Sequence, residues 1–418
     1  MSALEEQEQQ QLPVRPERLP HALWSRPGAW PWWLQIAAAY VAARAFSFLV
    51  FSGAAFKQGI NPWMQPAPGY WDFVTIWDGR WYQIAAENGY PAQLPLDSLG
   101  NVQENAWAFY PVLPLLGKAL SGVVGIPVLA SMTAIAMVAG LLAALVVFRL
   151  FLQFSSHRTA FWGTVFVACF PVSAILQVPY AESLNLLFLA AALLALVQRR
   201  YVSAMPFVVL AALSRPMGVP FGALVGLLWA HRLWALFRER RRPDRAETRS
   251  LLAHGALTLV ACTAALAWPA LAWARTGDIA AYTKTETVWR GGGLVPFKPW
   301  WDMAVGTLGP VLGPVALLAF LVCSAWALLK APAVRRIGVE LRLWCACYLI
   351  YLLAFLQPQT STFRLLLPLF PLGLAVAFVS RSKAYRWTVV LMFSLLQIVW
   401  VVWLWAWAQL PGGGDYPP

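Results

Sequence analysis

The sequence predicts an all-α polytopic membrane protein, and three observations carry that reading. Of 418 residues, 60% are hydrophobic and only 12% are charged. Mean hydropathy is +0.60, and the apolar residues come in long runs separated by short basic clusters. A soluble domain of this length has too little interior to hide that much apolar surface, whereas lipid accepts it. The 24 tryptophans and the 14% aromatic content suit many membrane interfaces, where amphipathic rings settle at headgroup depth.

The net charge of +13 does not point to nucleic acid, because of where the charge lies. Basic residues gather between apolar runs as Arg149 and Arg158, Arg199 and Arg200, Arg232 to Arg245, Lys330 to Arg342, and Arg381 to Arg386. The positive-inside rule and attraction to anionic leaflet lipids require this pattern. Membrane lipids are therefore expected partners and nucleic acid is not. The cysteines (Cys169, Cys262, Cys323, Cys345, Cys347) all fall inside apolar runs, so no disulfide framework is expected. The histidines (His21, His157, His231, His254) scatter on the basic side without metal-ligand spacing, so neither a metal nor a cofactor is expected.

Taken in order, residues 1–28 run from acidic and Gln-rich to Pro/Arg-rich, with no apolar core before Trp30. They read as a disordered cytoplasmic tail rather than a signal peptide. A span needs about 20 apolar residues, fewer where it is buried. On that rule the transmembrane domain, 29–409, holds about eleven spans: 31–53, 124–152, 160–177, 183–198, 202–214, 217–235, 251–274, 305–329, 341–357, 364–380 and 386–408. The fifth ends at Ser214-Arg215-Pro216, where proline breaks the helix. Such breaks survive at membrane depth only beside protein or a water-filled cavity. No internal repeat is visible, and residues 410–418 read as a flexible end. With the basic clusters in the cytoplasm, the N-terminus is inside and the C-terminus outside. The loops 54–123 and 275–304 and the turn from Gln357 to Arg364 then share the outer face. They carry Asp72, Asp78, Glu87, Asp97, Glu104, Asp278, Glu286 and Asp302.

In the first loop, Phe73, Trp77, Trp81 and Ile84 recur at helical spacing, which predicts one amphipathic interfacial helix over 72–87. Asp78 lies beside that stripe, and Tyr82 is four residues on along the same face. Gly89-Tyr90-Pro91 ends the helix, and Phe109 to Pro114 starts a second short apolar element.

Few carboxylates stand at this face, so the candidates for a general base are few: Asp78, with Asp72 and Glu104 as alternatives. The competing role for Asp78 is to pair with Arg80 or to favour the helix dipole. Arg364, Arg290, Lys284 and Arg215 are the cations that would meet an anionic group, and the planar arginine fork suits phosphate. Arg364 opens an apolar run at the outer face, where snorkelling to headgroups is its other reading. Arg290 precedes Gly291-Gly292-Gly293, which lets backbone approach a ligand closely. Arg44 in the first run and Glu182 at the start of the fourth are ionisable groups at lipid depth, either functional or paired with each other.

The string from Trp77 to Pro91, WDGRWYQIAAENGYP, resembles the first luminal motif of the PIG-V-like mannosyltransferases. These are relatives of the enzyme that adds the second mannose of glycosylphosphatidylinositol anchors. Ala108 to Pro114 (AFYPVLP) is similar to that family's aromatic-proline motif. Pro179 to Ser183, Leu213 to Gly218 and Arg364 to Pro371 (RLLLPLFP) match further motifs in order along most of the chain.

The resemblance implies a GT-C fold, a multi-helix membrane core with extracytoplasmic loops forming the active site. It also implies metal-independent, inverting transfer of a hexose, most often mannose, from a polyprenyl-phosphate donor to a lipid or glycolipid hydroxyl. The early-loop aspartate after tryptophan, here Asp78, would be the base. Arg364, Arg290, Lys284 and Arg215 would hold the donor phosphate. Trp77, Arg80, Tyr82, Glu104, Tyr110, Tyr180 and Glu182 would wall the substrate pocket. The chain is Ala-, Trp- and Arg-rich and lacks an ER retention signal and a glycosylation sequon. That departure points to a bacterial homologue of actinobacterial type in the inner membrane, and leaves the acceptor open. The alternative is a lipid-linked-sugar flippase or other transporter, which calls for repeats and broken helices paired between two halves. The chain offers one broken helix and no repeat. A scaffold with a degenerate site would not need intact motifs.

Overall fold

The computed structural model describes residues 30–290 and 293–409. The tail expected over 1–28, the flexible end over 410–418, and Gly291-Gly292 lie outside the described residues. Among those described, the apolar runs all become helix, and the only strand-like feature is an isolated bridge between Leu96 and Val102.

The helices are α1 Trp32–Lys57, α2 Tyr70–Val74, α3 Asp78–Asn88, α4 Val112–Val124, α5 Val128–Phe151, α6 His157–Ala168, α7 Glu182–Val197 and α8 Tyr201–Ala212. They continue as α9 Gly218–Arg238, α10 Arg245–Thr276, α11 Ala281–Arg290, α12 Lys298–Lys330, α13 Pro332–Arg335, α14 Val339–Phe355, α15 Pro371–Val379 and α16 Lys383–Trp400. Short 3-10 elements occur at Ala106–Ala108, Ser173–Gln177 and Thr360–Leu369, and α16 ends in a π turn, Val401–Trp405.

Among the described residues, 6 helices have the length and apolar composition to cross a membrane: α1, α5, α9, α10, α12, and α16 with its π turn. The 3-10 element Thr360–Leu369 and α15, bent by 77° at their junction, would make up to 7 as one broken span. Six, or up to seven, of the roughly eleven expected runs thus have the length and composition of a full span. Runs 160–177, 183–198, 202–214 and 341–357 give helices of 12, 16, 12 and 17 residues. At about 1.5 Å per residue these measure roughly 18–26 Å, short of a hydrocarbon core of about 30 Å. Proline sets part of this: α6 stops before Pro171, and α8 stops before Ser214-Arg215-Pro216. Helix α7 has no need to span, because it packs against α5 and α8 with Leu189, Ala190, Ala192 and Leu193 fully buried.

Tertiary contacts also overrule the single helix expected over 72–87. The chain breaks between α2 and α3 at Trp77, a non-glycine residue with φ 61° and ψ −129°. Backbone of that kind costs about 1–3 kcal/mol and persists where the surroundings hold it. Here the Trp77 indole donates to the Trp405 carbonyl at 2.8 Å, and the Trp405 indole donates to the Phe73 carbonyl at 2.9 Å. Phe73, Ile76 and Trp77 thus sit in the core instead of lying along an interface. Gly89, at φ 74°, ends α3 with its N–H on the Ala85 carbonyl, as the Gly-Tyr-Pro signal predicts.

The basic clusters meet at one end of the bundle. Arg149, at the end of α5, lies over the Trp32 ring at the start of α1. Arg232, late in α9, donates to Tyr201 at the start of α8 and to Ser250 near the start of α10. The chain reverses at each turn, so the starts of α3, α7 and α9 and the end of α14 lie at the opposite end. There the loops 54–123 and 275–304 close on one another: Asn105 donates to Thr285 of α11 at 3.0 Å, and Trp268 of α10 donates to the Trp107 carbonyl at 2.9 Å.

Candidate active site

The break at Trp77 makes Asp78 the first residue of α3. Its backbone N–H donates to the Tyr180 hydroxyl at 3.0 Å, and its side chain meets Arg364. The proline break after α8 leaves Arg215 between two helices. Glu182 heads α7, and Arg364 lies within the 3-10 element Thr360–Leu369, rather than opening a regular helix as its run predicts.

These four charges form one chain of contacts. Arg364 Nη1 is 2.5 Å from Asp78 Oδ2 and 3.8 Å from Glu182 Oε1. Arg215 donates to the same Glu182 oxygen. The Arg364 guanidinium also lies over the Tyr180 ring, 5.3 Å from its centroid. Side-chain exposure is 17% for Asp78, 10% for Arg364, 16% for Arg215 and 5% for Glu182. Two carboxylates and two guanidinium groups balance at this depth, as buried charge requires. Arg364 Nε, Arg215 Nε and Glu182 Oε2 are buried without a hydrogen-bond partner, so each cation keeps a donor in reserve.

The cluster forms the floor of a cavity of about 180 Å³. Asp78, Arg215 and Arg364 line it with Tyr82, Tyr110 and Arg290, while Glu182 opens on a small recess behind Arg215 and Arg364. Trp289, Tyr348, Tyr351 and Phe355 supply aromatic wall. Trp81 packs behind it, edge-on to Trp289 at 5.2 Å and stacked on Phe109 at 5.8 Å. Tyr110 and Tyr282 share a hydrogen bond of 2.9 Å. Burial pushes the phenols of Tyr82 and Tyr110 up, so both remain protonated donors at neutral pH. Arg290 donates to the Phe355 carbonyl and pairs with Glu286 at 3.2 Å.

Other candidates lie apart from this group. Lys284 pairs with Asp278 at 2.7 Å, half exposed, and does not line the cavity. Arg80 is exposed and reaches the Trp63 carbonyl at 3.3 Å, so it does not pair with Asp78. Trp77 is a buried support, and Tyr180 a buried platform beneath Asp78 and Arg364. Glu104 and Asp72 are exposed within the segment 54–123, away from the cavity lining. Arg44 does not meet Glu182; it donates to the Ser173 and Ala168 carbonyls and to Ser173 Oγ.

Sequence reasoning did not single out Glu286 as a cavity residue, nor Trp289, Tyr348, Tyr351 and Gln359. Tyr348 and Tyr351 are three apart on α14 and so share a face, but inside an apolar run that spacing also describes ordinary core. The arrangement can hold an anion against two or three guanidinium groups, beside a carboxylate and within a largely aromatic wall.

These features define a polytopic helical protein with a charged, aromatic-walled cavity at the end of its helices away from the basic clusters. No protein-family model matches the chain, and no curated protein does. Among solved structures, it is similar to the oligosaccharyltransferase AglB of the archaeon Archaeoglobus fulgidus. The apo form matches at 14% identity, covering 87% of this chain and 56% of that one, with a TM-score of 0.47. The complex with an inhibitory peptide and a dolichol-phosphate matches at 13% identity, 87% and 55% coverage and a TM-score of 0.43. The complex with Zn and sulfate matches at 14% identity, 85% and 53% coverage and 0.42. The chain spans about half the length of the solved structures it matches.

Proposed function

We propose that the chain is a GT-C-type glycosyltransferase of the inner membrane. It transfers a hexose, mannose by its resemblance to the PIG-V-like enzymes, from a polyprenyl-phosphate donor to a lipid or glycolipid hydroxyl at the extracytoplasmic face. The observation that carries the reading is the contact of Asp78 with Arg364 at the floor of an arginine-lined cavity. The positive-inside rule supports an extracytoplasmic cavity, because the basic clusters occupy the opposite helix ends.

In this reading the donor phosphate enters over Arg364, Arg215 and Arg290. Arg364 turns from Asp78 to a phosphate oxygen, and the freed carboxylate faces the acceptor. Asp78 takes the acceptor hydroxyl's proton as the oxygen forms its bond to the anomeric carbon. The bond from that carbon to the phosphate oxygen breaks, and its electron pair leaves with the polyprenyl phosphate, whose charge the arginines stabilise. Attack opposite the leaving group inverts the centre, so a β-linked donor gives an α-linked product. A positioned base contributes about 10²–10⁴-fold.

The donor class is tested by offering purified protein labelled polyprenyl-phosphate-mannose, polyprenyl-phosphate-glucose and a nucleotide-linked mannose, with a lipid extract of the source membrane. The expected result is an α-linked glycolipid from polyprenyl-phosphate-mannose alone. Product from the nucleotide sugar would overturn the donor class. Product from the glucosyl donor would replace mannose as the sugar.

A further inference from the structure

The end of the bundle away from the cavity holds a charge the reaction does not use. Arg386, one turn into α16, is 1% exposed, yet its Nε and Nη1 have no hydrogen-bond partner. No carboxylate faces it among the described residues. Its neighbours are Trp162 of α6, over whose ring it lies at 5.5 Å, and the exposed Arg158 and Arg381, both within electrostatic reach. Three cations held together without an anion are self-repelling unless a ligand supplies negative charge.

An apolar groove of about 360 Å³ begins beside this cluster, at Trp162, over whose ring Arg386 lies. Trp162 and Trp387, edge-to-face at 5.4 Å, stand at its basic mouth. It continues past Phe161, Val390 and Ser394 to Gln397, with the small α1 residues along its back. From Trp387 to Gln397 the groove follows α16 for roughly 15 Å at the helical rise. That is about half of a hydrocarbon core near 30 Å, the depth of one leaflet.

We propose that this is a site for an anionic phospholipid of the cytoplasmic leaflet. Its phosphate meets the exposed Arg158 and Arg381, with the buried Arg386 behind them as a fixed positive charge, and one acyl chain lies in the groove between α6 and α16. Charge selects the occupant, since three arginines at the mouth of a lane one leaflet deep match an anionic headgroup joined to a chain. The two tryptophans sit where interfacial rings prefer to lie.

The test is native mass spectrometry of full-length protein released from nanodiscs of equal phosphatidylglycerol and phosphatidylcholine. Wild type is expected to retain one phosphatidylglycerol. R386Q should weaken retention about five-fold, the value of one cation at an anionic surface. The exposed pair R158Q/R381Q weakens it without touching the core, and Val390→Trp, which fills the lane, abolishes it with every charge intact. Equal retention of both lipids, or retention unchanged in R158Q/R381Q, would overturn the proposal. Retention that survives in V390W would reduce the site to a surface headgroup contact. Displacement of a bound anion by inorganic phosphate with no lipid retained would make it a free-anion site instead.

Discussion

Arg364 faces two carboxylates, at 2.5 Å from Asp78 and 3.8 Å from Glu182, and it is the residue whose fork geometry matters most. Lysine keeps the charge but cannot bond two oxygens in one plane. Arg364→Lys should therefore raise the KM for the donor roughly ten-fold, about 1.4 kcal/mol, with a smaller change in kcat. Steady-state kinetics over donor concentration would read this, and an unchanged KM would remove Arg364 from the phosphate. Glu182 is different in kind, being the deepest of the four charges and bonded to Arg215. Glu182→Ala leaves Arg215 uncompensated, and breaking a buried pair from one side costs about 3–5 kcal/mol. Thermal unfolding in detergent should show a large drop in Tm, and E182A melting like wild type would mean that the pair does not support the fold. Both arginines and both carboxylates were visible in the sequence as rare charges within or beside apolar runs. Their mutual contacts were not, because Asp78 and Arg364 are 286 residues apart and no local pattern spans that distance.

At the scale of elements, the site depends on two interruptions of helix. The proline break at Ser214-Arg215-Pro216 was legible, since proline acts through its own ring. The break at Trp77 was not, because its hydrogen bond reaches Trp405, 328 residues away; the local spacing favoured one continuous helix. Helix α9 then approaches α10 closely at Gly218, where a Cβ would lie 2.6 Å from the Ala265 Cα. Gly218→Ala must push the two backbones apart, and it should lower Tm and activity together because Arg215 stands three residues before it. An alanine variant with wild-type Tm would show that the two helices tolerate separation. The outer loop around Asp97 gives a pH test. Asn101, through side chain and backbone, and the N–H groups of Leu99 and Gly100 hold its carboxylate below the usual range. A depressed folded value contributes stability that is full above the unfolded pKa, near 4, and is lost as pH falls through the folded value. Amide exchange at Leu99 and Asn101, both bonded to Asp97 Oδ1 at 2.8 Å, should stay protected above that range and quicken below it relative to α7. Protection that ignores pH would assign the loop's order to other contacts.

Over the whole molecule, lipid explains why so much of the fold could be read. A chain solvated by hydrocarbon must pair its backbone within helices and cover them with apolar side chains, so composition gave the class and the apolar runs gave the positions of the long helices. Length within the membrane was harder. Helix α7 is as apolar as a span but lies inside the protein, and burial and lipid exposure select the same residues. The two ends of the bundle were separable because the basic residues gather at one and most carboxylates at the other. The cavity wall was only partly legible: Tyr82 and Tyr110 stood in loops with motif-like neighbours, whereas Tyr348 and Tyr351 were hidden among apolar residues of α14.

We propose Asp78 as the base of a lipid-linked sugar transfer. The direct measurement is turnover of labelled polyprenyl-phosphate-mannose by wild type and Asp78→Asn, purified in the same detergent with the same acceptor lipids. Wild type is expected to form glycolipid and the variant about 10²–10⁴-fold less, while still folding because asparagine can accept the Arg364 hydrogen bond. Equal turnover by both proteins would remove Asp78 from that role and pass it to Glu286, the other carboxylate lining the cavity.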